Sequence, residues 1–231
     1  FLLYSPGSLQ AFLTTQPLPA GDVMYLSSSN QGVLRFESHN GESYFSPLNG
    51  HHDLEFDNQG NLYSIRIDKI MRINTTSGVA TEFAIGVLPS AFGMAIDQEN
   101  NIFVASGTGG ANDTIQKFDS SGNPSIFSTS PLLNDPFDLE FDDQGNLYAS
   151  NEDGTIVRFD SSGNASLFSS GLQIPMGLKF DSTGNLFAVS NDSAQIYMID
   201  NSGVATVFAS TTPMGRHWSL VFVSEDNLFV A

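Results

Sequence analysis

The chain contains no cysteine. Disulfide bonds, thiolate nucleophiles and cysteine-based zinc sites are therefore excluded. It also has no apolar run of about 18 residues, so no membrane-spanning helix is predicted. The sequence shows no initiator methionine and no basic segment leading into an apolar run, and we expect that a leader has been removed or that the chain has been trimmed.

Positive charge is scarce, because 8 Lys and Arg residues stand against 25 Asp and Glu residues, giving a net charge of −17. Such a chain is repelled by phosphate backbones, so neither nucleic acid nor an anionic membrane surface is a predicted partner. The acidity favours high solubility or, alternatively, the attraction of cationic ligands. Few lysines, with many Ser, Asn, Gly and Thr residues, indicate an extracellular or periplasmic protein.

An internal repeat of about 40 residues organises the chain. Four copies align almost without gaps: Asp53-Leu-Glu-Phe-Asp-Asn-Gln-Gly-Asn-Leu-Tyr63, Gly93-Met-Ala-Ile-Asp-Gln-Glu-Asn-Asn-Ile-Phe103, Asp138-Leu-Glu-Phe-Asp-Asp-Gln-Gly-Asn-Leu-Tyr148 and Gly177-Leu-Lys-Phe-Asp-Ser-Thr-Gly-Asn-Leu-Phe187. A fifth, looser copy runs from Ser219 to Phe229. In each copy a short apolar run, a turn rich in Asp, Gly and Asn, and a second apolar run predict a β-hairpin.

Two further strands follow each hairpin, as at Ile156 to Phe159 and Ser166 to Phe168. Short strands at this spacing without a helical period predict an all-β protein, and a four-stranded antiparallel sheet repeated around an axis is a β-propeller blade. We predict one domain whose units cover approximately residues 22–50, 51–89, 90–135, 136–174, 175–213 and 214–231, the last completed by 1–15. Strands from both termini would share this sixth blade and close the ring.

The first unit departs from the pattern, because the stretch from Thr15 to Val23 is too short for a first strand and turn. It contains Pro17 and Pro19, which disfavour a central strand. An irregular ring or a ring of five blades is the alternative to six.

The segment from Pro175 to Phe187 resembles NHL-type repeats, and it is also similar to the six-bladed group of senescence-marker/gluconolactonase hydrolases and virginiamycin-lyase-like proteins. The resemblance extends over about residues 22–231 and implies the propeller fold. For the gluconolactonases it would also imply a metal site of one Glu, two Asn and one Asp. The Asn that precedes the first-strand Gly in that family is Phe92 and Met176 here, which disfavours that enzyme.

Aligned first strands place charged residues in the channel of the predicted propeller. One ring consists of Asp53, Gly93, Asp138, Gly177 and Ser219, and the next of Glu55, Ala95, Glu140, Lys179 and Val221. A buried carboxylate needs water, a partner or a metal. Two interpretations stay open: a wet channel with Glu–Lys pairs, or a cation site of Asp53, Glu55, Asp138 and Glu140 suited to Ca²⁺ or Mg²⁺.

Aromatic and histidine residues precede the same first strands, at one mouth of the predicted channel. This ring contains His52, Phe92, Phe137, Met176 and Trp218, with His51, Arg216 and His217 adjacent in sequence. His217 is a candidate general base, and His52, Phe137, Lys179, Arg216 and Trp218 are candidate ligand-binding residues. The alternative is that Trp218 and Phe137 cap the core.

Three functions are compatible with this pattern. The first is a non-enzymatic, monomeric scaffold that binds a small molecule, glycan or protein at the channel mouth, since the repeat alignment reveals no complete catalytic constellation. The second is a metal-assisted hydrolase or lyase with His217 as its base. The third is a trimmed or engineered propeller without activity of its own.

Overall fold

The computed structural model describes residues 2–5, 23–28, 32–37, 41–46, 51–66, 68–87, 89–107, 109, 112–190, 193, 195–210, 219–223 and 227–230. All regular structure in these ranges is β-strand, as predicted. No helix in them is long and apolar enough to cross a membrane.

Four sheets of four antiparallel strands follow one another in chain order from His51 to Ser210. The second sheet contains β5 (His51–Phe56), β6 (Leu62–Arg66), β7 (Lys69–Ile73) and β8 (Ala80–Ile85), and the third contains β9 (Ala91–Ile96), β10 (Ile102–Ser106), β11 (Thr114–Phe118) and β12 (Pro124–Ser128). The fourth contains β13 (Pro136–Phe141), β14 (Leu147–Asn151), β15 (Ile156–Phe159) and β16 (Ala165–Ser169), and the fifth contains β17 (Pro175–Phe180), β18 (Leu186–Ser190), β19 (Gln195–Ile199) and β20 (Ala205–Ser210).

The first and sixth sheets flank this series. The first contains β1 (Leu2–Ser5), β2 (Val23–Ser28), β3 (Gly32–Glu37) and β4 (Gly41–Ser46). In the sixth, the described strands are β21 (Leu220–Val223) and β22 (Asn227–Val230). First strands of successive sheets contact each other from β5 through β9, β13 and β17 to β21, and β1 contacts both β5 and β21. The predicted β-propeller architecture is thereby confirmed.

The N-terminal strand differs from the prediction. Leu2–Ser5 pairs in parallel with Val23–Ser28 of the first sheet, and not with the C-terminal strands. In this sheet β1 occupies the position that the first strand has in the other four-stranded sheets, and it covers the edge that β2 would otherwise expose. The other predicted N-terminal strand, residues 9–14, lies outside the described ranges, so closure by a blade shared between the termini stays a prediction.

The repeated Asp and Asn residues shape the hairpin turns. In the turn after β17, Asp181 Oδ1 accepts N–H bonds from Thr183 (2.9 Å) and Asn185 (2.8 Å), and Asp181 Oδ2 accepts one from Asn185 Nδ2 (2.9 Å). Gly184 supplies the positive φ of 85° that this turn requires. Turns at Asp57, Asp97 and Asp142 repeat these bonds. The turn carboxylates are therefore structural, as the sequence predicts.

Aromatic side chains join several neighbouring sheets. Tyr148 on β14 has edge contacts with Phe168 of its own sheet (centroids 4.9 Å apart) and Phe180 of the following sheet (5.1 Å). Phe103 contacts Phe127 and Phe141 in the same way. The core is thus a series of apolar layers between sheets, and the first strands are left to line the channel.

Candidate functional site

Three first strands bring the predicted channel charges together. Lys179 on β17 places its Nζ 2.9 Å from Glu140 Oε2 on the neighbouring β13, and 3.6 Å from Glu55 Oε1 on β5. Strand β5 belongs to the second sheet and β17 to the fifth, so the lysine connects sheets that are not neighbours. The three side chains keep 29% (Lys179), 24% (Glu55) and 13% (Glu140) of their surface exposed. The predicted Glu–Lys pairing in the channel is confirmed.

Electrostatics in this triad fix the charge of the lysine. Burial alone would lower the pKa of Lys179, but attraction to Glu140 and Glu55 outweighs burial and raises that pKa. Burial raises the pKa of Glu140, and Lys179 opposes this increase. Lys179 is therefore a permanent cation held between two carboxylates.

Asp53 and Asp138 have a different role, which the sequence did not predict. Asp138 Oδ1 accepts the N–H of Leu139 (2.9 Å), and its Oδ2 accepts the N–H of Leu178 on the next first strand (2.7 Å). Asp53 makes the equivalent bonds to the N–H groups of Leu54 and Met94, both 2.8 Å long. Each carboxylate thus joins two sheets through backbone hydrogen bonds.

These two aspartates are costly to ionise. Burial raises the pKa of Asp138 to about 7, with Glu140 contributing, although the N–H of Leu178 favours the ionised form. Burial also raises the pKa of Asp53 well above its usual value, and repulsion from Asp138 and Glu55 adds to the effect.

Glycine allows the first strands to approach so closely. A Cβ added to Gly93 on β9 would lie 2.5 Å from the Cα of Asp138 and would also overlap the carbonyl oxygen of Phe137. The ring Asp53, Gly93, Asp138, Gly177 therefore alternates a bridging carboxylate with a residue that has no side chain. This alternation is the signal from which the bridges could have been found.

The four predicted metal ligands contact backbone N–H groups or Lys179 in the structure. Among the described residues, no three His, Asp or Glu side chains are grouped so as to hold a metal ion. The oxygens of Asp53 and Asp138 accept backbone N–H bonds, and Glu55 and Glu140 face the Lys179 ammonium. A metal at these four residues stays a prediction.

An aromatic pair lies near the start of β9 and β13, in the ring of residues that the sequence predicts at the channel mouth. Phe92 is the second residue of β9 and Phe137 the second residue of β13, and both are partly exposed. Their ring centroids are 6.1 Å apart, and the ring planes make an angle of 62°. Phe92 was not among the predicted binding residues, although it occupies the same repeat position as Phe137. Met176, the next member of the ring, is buried with only 4% exposure.

Strained backbone surrounds this pair. The residue that precedes the first strand has a positive φ in three consecutive sheets, at Ser90 (58°), Asp135 (43°) and Ile174 (44°). For a β-branched residue such as Ile174 this conformation is unfavourable, and such strain concentrates at functional sites. Asp135 is further fixed because its N–H donates to Asp113 Oδ2 (2.6 Å) and its Oδ1 accepts the N–H of Gly109 (2.7 Å).

The other predicted mouth residues are not placed by the structure. His51 and His52 are the first two residues of β5, and only their backbone is described. Arg216, His217 and Trp218 lie outside the described ranges.

Known proteins resemble the chain in fold. A family model described as strictosidine synthase-like, N-terminal, matches residues 134–159. No curated protein sequence matches the chain significantly. Virginiamycin B lyase from Staphylococcus aureus is 19% identical, with a TM-score of 0.69 over 87% of this chain and 71% of that one.

Two other solved structures are similar to the same extent. A chain of the nidogen/laminin complex is 16% identical, with a TM-score of 0.73 over 85% of this chain and 79% of that one. A gluconolactonase from Xanthomonas campestris is 16% identical, with a TM-score of 0.70 over 88% and 76%. These similarities confirm the predicted resemblance to NHL-type and gluconolactonase-like propellers at the level of fold. Two of the three proteins are enzymes and one is part of a protein complex, so the fold alone does not select a function.

Proposed function

We propose that this chain is a non-enzymatic, ligand-binding β-propeller that takes its ligand at the mouth marked by Phe92 and Phe137. The observation that carries the proposal is that the described channel charges are satisfied by one another and by the backbone. Lys179 lies between Glu140 and Glu55, and the Asp138 carboxylate accepts two backbone N–H bonds.

Acid–base catalysis in this channel is disfavoured for two reasons. A general base must have a pKa near the working pH and a free lone pair within reach of the substrate. Asp138, with a pKa of about 7, meets the first condition, but its Oδ1 already accepts the N–H of Leu139 on its own strand and its Oδ2 accepts the N–H of Leu178 on β17. Lys179 fails the first condition, because its raised pKa keeps it protonated.

The mouth is better suited to binding. Phe92 and Phe137 present partly exposed ring surface against a rigid, strained rim. Aromatic rings of this kind bind apolar or planar groups through stacked and edge contacts. The net charge of −17 repels anions. The favoured ligand is therefore a neutral or cationic molecule with a ring or an apolar group.

The test is a binding screen by ligand-observed NMR, with fragments that include aromatic amines, saccharides and short peptides. We expect hits from the neutral and cationic ring compounds that the Phe92→Ala, Phe137→Ala double variant loses. Leu167→Ala is the matched control, because Leu167 is a 56% exposed apolar residue on the outer strand β16. Hits that survive the double variant would contradict the proposed site. Turnover of a lactone or a cyclic depsipeptide that depends on a divalent ion would instead establish the hydrolase or lyase alternative.

A further inference from the structure

Described residues between β10 and β11 contact the residues that lead into both aromatic strands. The backbone N–H of Gly107 donates to the carbonyl oxygen of Ser90 (3.2 Å), which directly precedes β9. Gly107 also lies against Asp135, which directly precedes β13: a Cβ added to Gly107 would lie 2.7 Å from Asp135 Oδ1 and 2.8 Å from its Cα. One glycine backbone thus contacts the lead-in residues of the strands that carry Phe92 and Phe137.

Hydrogen bonds attach Asp135 to the same connection. Its N–H donates to Asp113 Oδ2 (2.6 Å), and its Oδ1 accepts the N–H of Gly109 (2.7 Å). Asp113 is only 4% exposed, so the partner of the Asp135 N–H is itself held inside the protein. The backbone and the side chain of Asp135, which belongs to the fourth sheet, are therefore both bonded to the third sheet.

These bonds hold Asp135 in a conformation that its sequence position disfavours. A residue before proline favours an extended backbone with negative φ, whereas Asp135 precedes Pro136 and has a φ of 43°. Positive φ in a residue other than glycine persists where the surroundings impose it. Loss of the bond to Gly109 therefore removes a restraint on the segment that carries Phe137.

The fifth sheet offers an internal comparison. Ile174 directly precedes Pro175, the first residue of β17, and has a φ of 44°. Its side chain contains no hydrogen-bond acceptor. The residue of β17 in the aromatic ring position is Met176, which is only 4% exposed. Of these two lead-in residues before proline, the one with a carboxylate precedes the strand whose ring-position residue is partly exposed.

We propose that Asp135 is a positioning residue that fixes Phe137 beside Phe92 before any ligand is bound. The inference rests on the function proposed above and adds a ligand class to it. With centroids 6.1 Å apart the two rings contact each other, so a ligand ring lies across the pair and not between them. A pair that is already ordered lowers the entropic cost of binding. The favoured ligand group is therefore a single compact ring that packs across both aromatic side chains.

Three substitutions separate the hydrogen bond from the strain and from the charge. Asp135→Gly accommodates a positive φ without strain but removes the acceptor of the Gly109 N–H. Asp135→Asn keeps an Oδ1 acceptor and removes the charge. Ile174→Gly is the matched control, because it relieves the same strain next to the strand of the buried Met176.

The first readout needs no ligand: it is the nuclear Overhauser effect between the rings of Phe92 and Phe137 in the free protein. We expect this effect in the unaltered protein, in Asp135→Asn and in Ile174→Gly, and its loss in Asp135→Gly at a nearly unchanged Tm. A folded Asp135→Gly protein that retains the effect would overturn the proposal. Its loss in Asp135→Asn would overturn the proposal as well, because that variant keeps the acceptor.

The second readout is binding of benzyl alcohol and benzylamine, which present the same ring without and with a charge, followed by NMR titration. We expect the Kd of both to rise about threefold to tenfold in Asp135→Gly and to stay unchanged in Asp135→Asn and Ile174→Gly. A loss of benzylamine binding alone in Asp135→Asn would overturn the positioning role, since Asp135 would then contact the charge of the ligand. Unchanged binding to the Phe92→Ala, Phe137→Ala protein would instead contradict the proposed function, while the ring-to-ring effect still decides the role of Asp135.

Discussion

Lys179 can be replaced by methionine, which keeps the length and the apolar part of the side chain but removes the charge. The substitution leaves Glu140 and Glu55, now 2.9 Å and 3.6 Å from a neutral group, without a cation. Both carboxylates are only 13% and 24% exposed, so water replaces the lost partner incompletely. We expect Lys179→Met to destabilise the protein.

The magnitude follows from the two distances. With an effective dielectric constant of about 20, the attractions amount to about 6 and about 5 kcal/mol before desolvation and glutamate repulsion are subtracted. Removal of one partner from a buried pair typically costs about 3–5 kcal/mol. Because all three side chains are partly exposed, by 29% (Lys179), 24% (Glu55) and 13% (Glu140), we expect about 2–3 kcal/mol, or a decrease in Tm of roughly 4–12 °C.

Urea denaturation and thermal melting of the variant test this estimate. Lys69→Met is the matched control: its ion pair with Glu82 is 2.8 Å long, but Glu82 is 53% exposed, so the loss of stability should be much smaller than for Lys179→Met. Adding Glu140→Gln to Lys179→Met should restore part of the stability, because it removes an uncompensated charge. Equal stability of Lys179→Met and the unaltered protein at pH 7 would refute the assigned role of the triad.

Three further predictions concern turns, pH and metals. Gly203→Val should cost about 3 kcal/mol or more in urea denaturation, because its side chain would clash with the carbonyl of Phe168 and strain the backbone. Gly184→Val should cost only about 1 kcal/mol, because a Cβ there would come no closer than 4.0 Å to Asn201 Oδ1; equal losses would contradict the close approach at Gly203. Burial raises the folded-state pKa of Asp138 to about 7, so its stabilising contribution is complete below about pH 4 and is lost as the pH rises through 7. Urea titrations should therefore give a lower free energy of unfolding at about pH 8 than at about pH 5.5. The opposite trend would contradict the burial of this carboxyl group. Excess chelator should leave the Tm unchanged, because Lys179 already lies between Glu55 and Glu140. A channel metal would be established instead by a stoichiometric bound ion whose chelation lowers the Tm, if Glu55→Gln with Glu140→Gln abolishes both the ion and the chelator response.

The repeat made most of the fold predictable. Turn residues such as Asp181 and Gly184 identify a hairpin in the sequence because the hydrogen bonds of the turn are local and join residues within a five-residue segment. The channel triad was also predictable, since alignment of the units places Glu55, Glu140 and Lys179 at one level of the first strands. The sequence of a single strand does not reveal which of these side chains come within ion-pair distance of each other, because that depends on the width of the channel.

The bridges made by Asp53 and Asp138 were missed for a different reason. An aspartate in an inner strand was interpreted through its charge, as a possible ligand for a cation, and not through its capacity to accept two backbone N–H bonds. The parallel pairing of Leu2–Ser5 was missed because it spans a long connection and leaves no local sequence signal.

The ion pair between Glu55 and Lys179 has a kinetic consequence. The two residues lie more than half of the 231-residue chain apart, so closing this contact costs chain entropy, and we expect the contact to form late in folding. Interactions absent from the folding transition state affect the unfolding rate and leave the folding rate nearly unchanged. In stopped-flow measurements, removal of the lysine charge should therefore accelerate unfolding while refolding proceeds at its original rate, so that this contact prolongs the lifetime of the folded state without helping to form it.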